Sequence, residues 1–318
     1  MTHLARRLVV ALHGKTRGAA IAAIAAIAGS LVAGCAGSSA DRCAIDDDCA
    51  SHFCRADGTC APEGPDAAPA GDGAPGADAS TATCTPNHDG ILQRAELPLA
   101  PGRTATYKVV TSTTGVTVDT AGTQTGSGQR AWDLATAIPG DADKVTTLLS
   151  PTGTWWATTF PTASYATTLS ASSTLLGVFQ LDDTGLRLLG VVSPDAGVTR
   201  TELTYDPPVT ILPLPMAANA TWTTTSTVTG LASGISSFYS EKYASRVDAV
   251  GTLGTPYGDF PVVRVAIDLT RTVGAAITTS RTFSFVSECY GPVGTIVSQS
   301  YETGAEFTTA TEVRRLAP

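Results

Sequence analysis

"FPVVRVAIDLTRTV", Phe260 to Val273, decides the fold. Val263, Val265, Ile267 and Leu269 fall on one side of the stretch, and Arg264, Asp268 and Thr270 on the other. Successive side chains of extended backbone point to opposite faces, so this period of two predicts a strand with one apolar and one wet face. The pattern recurs outward from there. "RAWDLA" (130–135) puts Trp132 and Leu134 in and Asp133 out. "RTFSFVSECY" (281–290) places Phe283, Phe285 and Cys289 on a shared face. "GLRLLGVV" (185–192) is more continuously apolar. Gly and Pro punctuate these runs at "IPGDAD", "SPTG", "DDTG", "SPDAG", "YDPP" and "TPYGDFP", and no stretch sustains a helical period. Residues 84–318 are therefore expected to form one all-β domain, an antiparallel sandwich or an open or half β-barrel, at a length that allows a single large core.

The first 34 residues read differently. Arg6, Arg7, Lys15 and Arg17 precede an uncharged apolar run from Gly18 to Cys35 that is mostly Ala and short for a membrane span. A basic start, a short apolar core and small residues make an export signal. Its end, "LVAGC", resembles the lipobox of bacterial lipoproteins. That resemblance implies a signal peptide over 1–34, cleavage after Gly34, and Cys35 as a lipidated N-terminus that ties the chain to the membrane. Ala36, in place of an inner-membrane retention Asp, implies the outer membrane of the cell envelope.

Seven cysteines are an awkward number for an exported chain; Cys35 taken by lipid leaves six. Four cluster as Cys43, Cys49, Cys54 and Cys60, and two, Cys84 and Cys289, stand far apart. An oxidising compartment favours disulfides, so two bridges are expected within the cluster, in any of three pairings, and one long-range bridge, Cys84–Cys289. The module over 35–60 is too small for a core and must be held by its bridges. Its C-x5-C-x4-C-x5-C spacing is similar to short Dickkopf-like segments of some bacterial surface lipoproteins; zinc would call for C-x2-4-C pairs. Between 61 and 83 runs "APEGPDAAPAGDGAPGADASTAT", without one large apolar side chain, which predicts a flexible linker.

Charge excludes one class of partner. Beyond residue 34 the chain has 28 acidic and 16 basic residues, of which only three are lysines, so nucleic acid has no electrostatic purchase. Eleven of the acids lie in 35–96, as a solvated spacer would have them.

Catalytic chemistry is sparse. The histidines are His3, His13, His52 and His88, so no histidine is available for a Ser-His-Asp triad among the strands. With Cys84 and Cys289 bridged, the β domain has no thiol nucleophile, and no phosphate-loop motif occurs. No catalytic residue is assigned. Paired carboxylates remain, with Asp133, Asp206, Glu241, Asp259 and Glu288 as candidates.

Other features have a bland and a sharp reading. Thr221, Thr223, Thr225, Thr227 and Thr229 alternate along "ATWTTTSTVTG", as solvent-facing strand residues or as a row that meets ice or polysaccharide. Trp155 and Trp156 would point to opposite faces of a strand, one to the core and one to a loop or a sugar. "CTPNHDGILQRAE" (84–96) is similar to the calcium loops of EF-hands and dockerins. That resemblance implies Asn87, Asp89, the carbonyl of Ile91, and Glu96 as ligands, with Gly90 at the turn. Thr85 replaces the first Asp and Pro98 stops the exit helix, so an Asx-type turn capping a short helix, pinned by Cys84, is the simpler expectation, with no cofactor required.

Two functions stay open: a cell-envelope lipoprotein displaying a β-rich binding or structural domain to a lipid, glycan or protein, or a carboxylate-dependent, glycosidase-like hydrolase.

Overall fold

The computed structural model describes residues 84–126 and 128–318. Lipidation at Cys35, the module of Cys43, Cys49, Cys54 and Cys60, and the linker over 61–83 lie outside the described residues. The domain is all-β, with one 3-10 turn at Arg94–Glu96. In chain order the strands are β1 (Ile91–Leu92), β2 (Thr104–Thr117), β3 (Thr123–Gln124), β4 (Arg130–Asp133), β5 (Ala142–Thr147) and β6 (Tyr165–Thr168). There follow β7 (Leu176–Asp182), β8 (Gly185–Val192), β9 (Glu202–Pro213), β10 (Met216–Ala217), β11 (Thr221–Ala232) and β12 (Ile235–Gly254). The last four are β13 (Asp259–Val273), β14 (Ala276–Ser287), β15 (Gly291–Ser298) and β16 (Thr309–Ala317).

Twelve of them make one antiparallel path, β5-β2-β16-β15-β14-β13-β12-β11-β9-β8-β7-β6. The end strands come together at a single bridge, Leu149 with Ala166, so the sheet is a nearly closed barrel. Closure removes most exposed strand edges, which is why so long a run of hairpins needs no helical cover. Among the described residues no helix is long and apolar enough to cross a membrane.

The wall is buried on both faces for much of its extent. The inner core takes Leu188, Tyr205, Val228, Val247, Val265 and Val286. On the outer face Phe283, Phe285, Ile296 and Val313 form a second core with Trp132, Leu134 and Phe307. Residues 118–141 lie over it: Trp132 Nε1 donates to the carbonyl of Thr120 at 2.9 Å, and β4 runs parallel to β12 from Gly251 to Gly254. A third core, around Trp156, Phe160, Val178 and Leu189, covers the outer side of β7 and β8.

This double burial corrects the expected wet face of Phe260–Val273. Val265 faces inward as expected, but Arg264 on the other side is only 2% exposed. Its guanidinium donates to Asp248 at 2.9 and 3.0 Å, to Glu306 at 2.7 and 3.1 Å and to the carbonyl of Thr120 at 2.5 Å. It sits 4.2 Å from the ring centroid of Phe283 and 5.3 Å from that of Trp132. Five N–H donors meeting five acceptor oxygens keep the buried charge hydrogen-bonded by protein in place of water. Trp132 and Leu134 are buried and Asp133 exposed, as read from the sequence, and β8 is covered on both faces.

Candidate functional site

Three places gather the groups singled out by the sequence: the clasp at one mouth of the barrel, a polar cluster inside the other, and the bare part of the outer wall.

The clasp is residues 84–99. Cys84 and Cys289 are bonded, with 5.4 Å between their Cα atoms. Cys289 is not on the face of Phe283 and Phe285: β14 ends at Ser287, and Cys289 lies in the following turn at φ 68°. The strand alternation therefore stops two residues before the cysteine. Between the bridge and the barrel the backbone folds on its own side chains. Asn87 Oδ1 accepts the N–H of Asp89 at 2.9 Å, and Asp89 Oδ1 accepts that of Ile91 at 2.8 Å, which are two successive Asx turns. The N–H groups of Asn87 and His88 donate to Glu288 Oε2 at 3.0 and 2.9 Å. Glu96 accepts the N–H of Gln93 at 2.8 Å while its own carbonyl accepts the N–H of Cys289 at 2.8 Å. Of the side-chain oxygens expected to hold calcium, Asn87 Oδ1, Asp89 Oδ1 and Glu96 Oε2 each accept a local backbone N–H, and Ile91 enters the short β1–β10 pair. Among the described residues no three His, Cys, Asp or Glu side chains gather as a metal site. Leu92 and Leu97 continue from the clasp into the inner core and fill this mouth.

At the other mouth Glu241 is fully buried on the inner face, paired across the strands with Ser226. Arg271 Nε donates to one of its oxygens at 2.6 Å and the Tyr243 hydroxyl to the other at 2.6 Å. Tyr205 and Tyr239 complete the group, with Arg271 over the Tyr239 ring at 5.3 Å. Burial raises the phenol pKa of Tyr205, Tyr239 and Tyr243, and the Glu241 carboxylate raises them further. Ser226 Oγ, also buried, has no hydrogen-bond partner. The cluster's charge is balanced within itself. Ser226 Oγ apart, the Arg271 and Tyr243 donors meet the two oxygens of Glu241.

Of the five candidate carboxylates, Asp133 and Asp259 come together at the surface: both pair with Gly254, and their Oδ1 atoms lie 3.8 and 3.1 Å from the place a Cβ on that glycine would take, no more than about 7 Å from each other, while the other three stand apart. Asp206, opposite Thr227, points out of the wall whose inner side holds Glu241. Asp133 caps the N–H of Ala135 at 3.0 Å beyond β4, Asp259 opens β13, and Glu288 belongs to the clasp.

The outer wall is bare where neither 118–141 nor 151–163 reaches. Thr221, Thr223, Thr225, Thr227 and Thr229 are all exposed there, while Thr224, Ser226 and Val228 between them are buried. A shallow depression of about 420 Å³ lies at one end of the row, lined by Thr221, Thr223 and Arg246 among others. Sequence reading placed this row but not its neighbours, since Phe238 opposite Thr229 and Lys242 opposite Thr225 come from register alone. The tryptophan pair departs from its strand reading. Residues 152–162 are turns; Trp156 is core, and Trp155 donates to the carbonyl of Ser193 at 3.3 Å under Arg200.

The chain matches no protein-family model, no curated protein and no solved structure.

Proposed function

We propose that the chain is a bacterial cell-envelope lipoprotein, anchored to the outer membrane through Cys35, whose barrel is a displayed, non-catalytic binding or structural module. The observation that carries this reading is the apolar packing on the inner face. Side chains from β6 to β14 join there in one cluster, and Leu92 and Leu97 of the clasp belong to it. That leaves the outside of the wall, with its exposed threonines, as the surface offered to a lipid, glycan or protein. The hydrolase alternative is less well supported. A glycosidase needs two carboxylates about 5–9 Å apart across a cleft. Asp133 and Asp259 come that near, but both stand exposed on the outer surface and Asp133 Oδ1 already accepts the N–H of Ala135, while Glu241 faces Arg271 and Tyr243.

Two measurements test the reading. Metabolic labelling with a radioactive fatty acid should mark the wild-type chain and fail on Cys35→Ser; equal labelling of both overturns the anchor. The purified chain should show no turnover on a panel of aryl glycosides. Turnover that disappears in Asp133→Asn, Asp259→Asn or Glu241→Gln establishes the hydrolase instead.

A further inference from the structure

The barrel has one apolar rim. β11–β12 and β13–β14 are neighbouring hairpins whose turns lie at the same end, since Ser240 pairs with Thr272. Ile235–Tyr239 extend beyond that last pair, so the first hairpin projects. The 193–201 loop braces it: the N–H of Gly234 donates to the carbonyl of Arg200 at 2.8 Å and that of Ser233 to Thr201 Oγ1 at 3.1 Å. On these three segments stand Val198, Ile235, Phe238, Val273 and Ile277, exposed by 92%, 72%, 75%, 50% and 56%. Scattered exposed apolar residues need no explanation, but five large ones on adjoining tips do.

The tips are also uncharged. No charged residue occurs between Pro207 and Ser240, or between Thr272 and Ser280. Below the rim, Lys242 on the outer face and Arg271 at the mouth are exposed or half-exposed bases, and Arg200 lies in the bracing loop. The acids near them are Asp195 in that loop, Asp206 on the outer wall, Glu202 beside Arg200 at 3.1 Å, and Glu241 beside Arg271.

The geometry points to this rim as a docking surface for a lipid bilayer, the five side chains entering the headgroup boundary, with Lys242, among the described residues, the one nearby base not held by an acid. A second copy of the chain is the weaker fit. The five side chains expose on the order of 600 Å² at ordinary side-chain areas, below the roughly 800 Å² that each partner gives a standard protein interface. They also stand on separate tips rather than on one flat patch. A fluid bilayer accepts separate tips, and insertion strength follows the apolar area buried plus attraction to anionic headgroups. The rim lies at the end away from Cys84, because β14 runs its twelve residues, about 40 Å, from the hairpin tip to the clasp turn. The linker over 61–83 alone could span on the order of 75 Å when extended, more than the length of β14, enough for a tethered domain to lay its rim on a membrane. Docking does not depend on the anchor.

The test uses the chain from residue 36 onward, which has no lipidation cysteine, with vesicles of phosphatidylethanolamine and phosphatidylglycerol. The chain should co-sediment with them, and Ile235→Ser with Phe238→Ser should weaken the partition coefficient by about tenfold or more. Both sites are exposed, so the melting temperature should not move. Val145→Ser, at the barrel seam, should leave partition unchanged. Phe238→Trp should shift its emission to the blue on vesicles and be quenched by brominated acyl chains. Absence of co-sedimentation, or equal partition of the double variant, overturns the proposal. So does a concentration-dependent dimer in ultracentrifugation that the double variant abolishes without any vesicle binding.

Discussion

Arg264 shows how a single residue can invert the expected polarity of a strand. Its five donors meet two carboxylates and a carbonyl, so the charge is buried without an unpaired group. Arg264→Met would leave Asp248 and Glu306 facing each other across the emptied site, and a buried pair broken on one side costs about 3–5 kcal/mol. Arg264→Lys should rescue little, because an ammonium cannot bridge two carboxylates bidentately. Urea unfolding of both variants checks this; loss below about 1 kcal/mol for Met would mean that the network is a bystander. The tyrosines give a pH dependence. Burial raises the pKa of Tyr107, Tyr165, Tyr205, Tyr239 and Tyr243 above 10, five of the eight in the chain. The folded state thus holds protons that the unfolded chain releases near pH 10, so this stability is fully present below pH 10 and is lost as pH rises toward the folded-state values. The melting temperature should fall above about pH 10, and the fall should be shallower in Tyr165→Phe, which removes one such phenol whose hydroxyl makes no hydrogen bond among the described residues. An equal slope in wild type and variant would remove Tyr165 from the account.

At the scale of elements, the strands at 260–273, 130–133 and 185–192 were legible because alternation and continuous apolar runs are local signals. What covers each face was not. The segment 118–141 crosses the outer wall through contacts more than a hundred residues apart, such as Arg264 to Thr120 and Arg315 to Leu134, and no period records those. The same reason hid the polar cluster: Glu241 was one of five scattered carboxylates until the β12–β13 register set Arg271 against it. The threonine row was visible and correctly read as one face, but which strands flank it is again register. Cys289 was placed by continuing an alternation past the end of its strand. Gly251 is where the covering segment can be tested. β4 pairs with β12 there, and a Cβ at Gly251 would stand 1.7 Å from the carbonyl oxygen of Arg130, a backbone atom that cannot swing aside. Gly251→Ala should therefore detach β4 while leaving β11–β13 paired. Hydrogen exchange should rise at residues 130–134 and stay slow at 262–268; protection unchanged at 130–134 would show that the backbone shifts without losing the pair.

For the whole molecule, one covalent link joins the start of the described chain to its late strands. Cys84 and Cys289 are 205 positions apart, and in the chain-entropy account a bridge closing so long a loop restricts the unfolded ensemble by about 5 kcal/mol, an upper figure because unfolded chains retain structure. Against a typical total of about 5–15 kcal/mol that is a large fraction. The bridge also sets the order in which the molecule should fail. Without it, the clasp keeps the hydrogen bonds of Asn87, His88 and Cys289 to Glu288 and Glu96, and Leu92 and Leu97 in the inner core, but no covalent tie to the β14–β15 turn. Reduction, or Cys84→Ser, should lower the melting temperature by on the order of 10 °C and make residues 84–99 the first to exchange amide hydrogens. Calcium should matter little beside this, because Asn87 Oδ1 and Asp89 Oδ1 already accept backbone N–H groups from the two Asx turns, and rebuilding them as ligands would release both. Melting the oxidised chain with millimolar calcium and with a chelator distinguishes the two accounts. A shift of several degrees with calcium, together with little change on reduction, would make the loop a metal site and the bridge a secondary fastening.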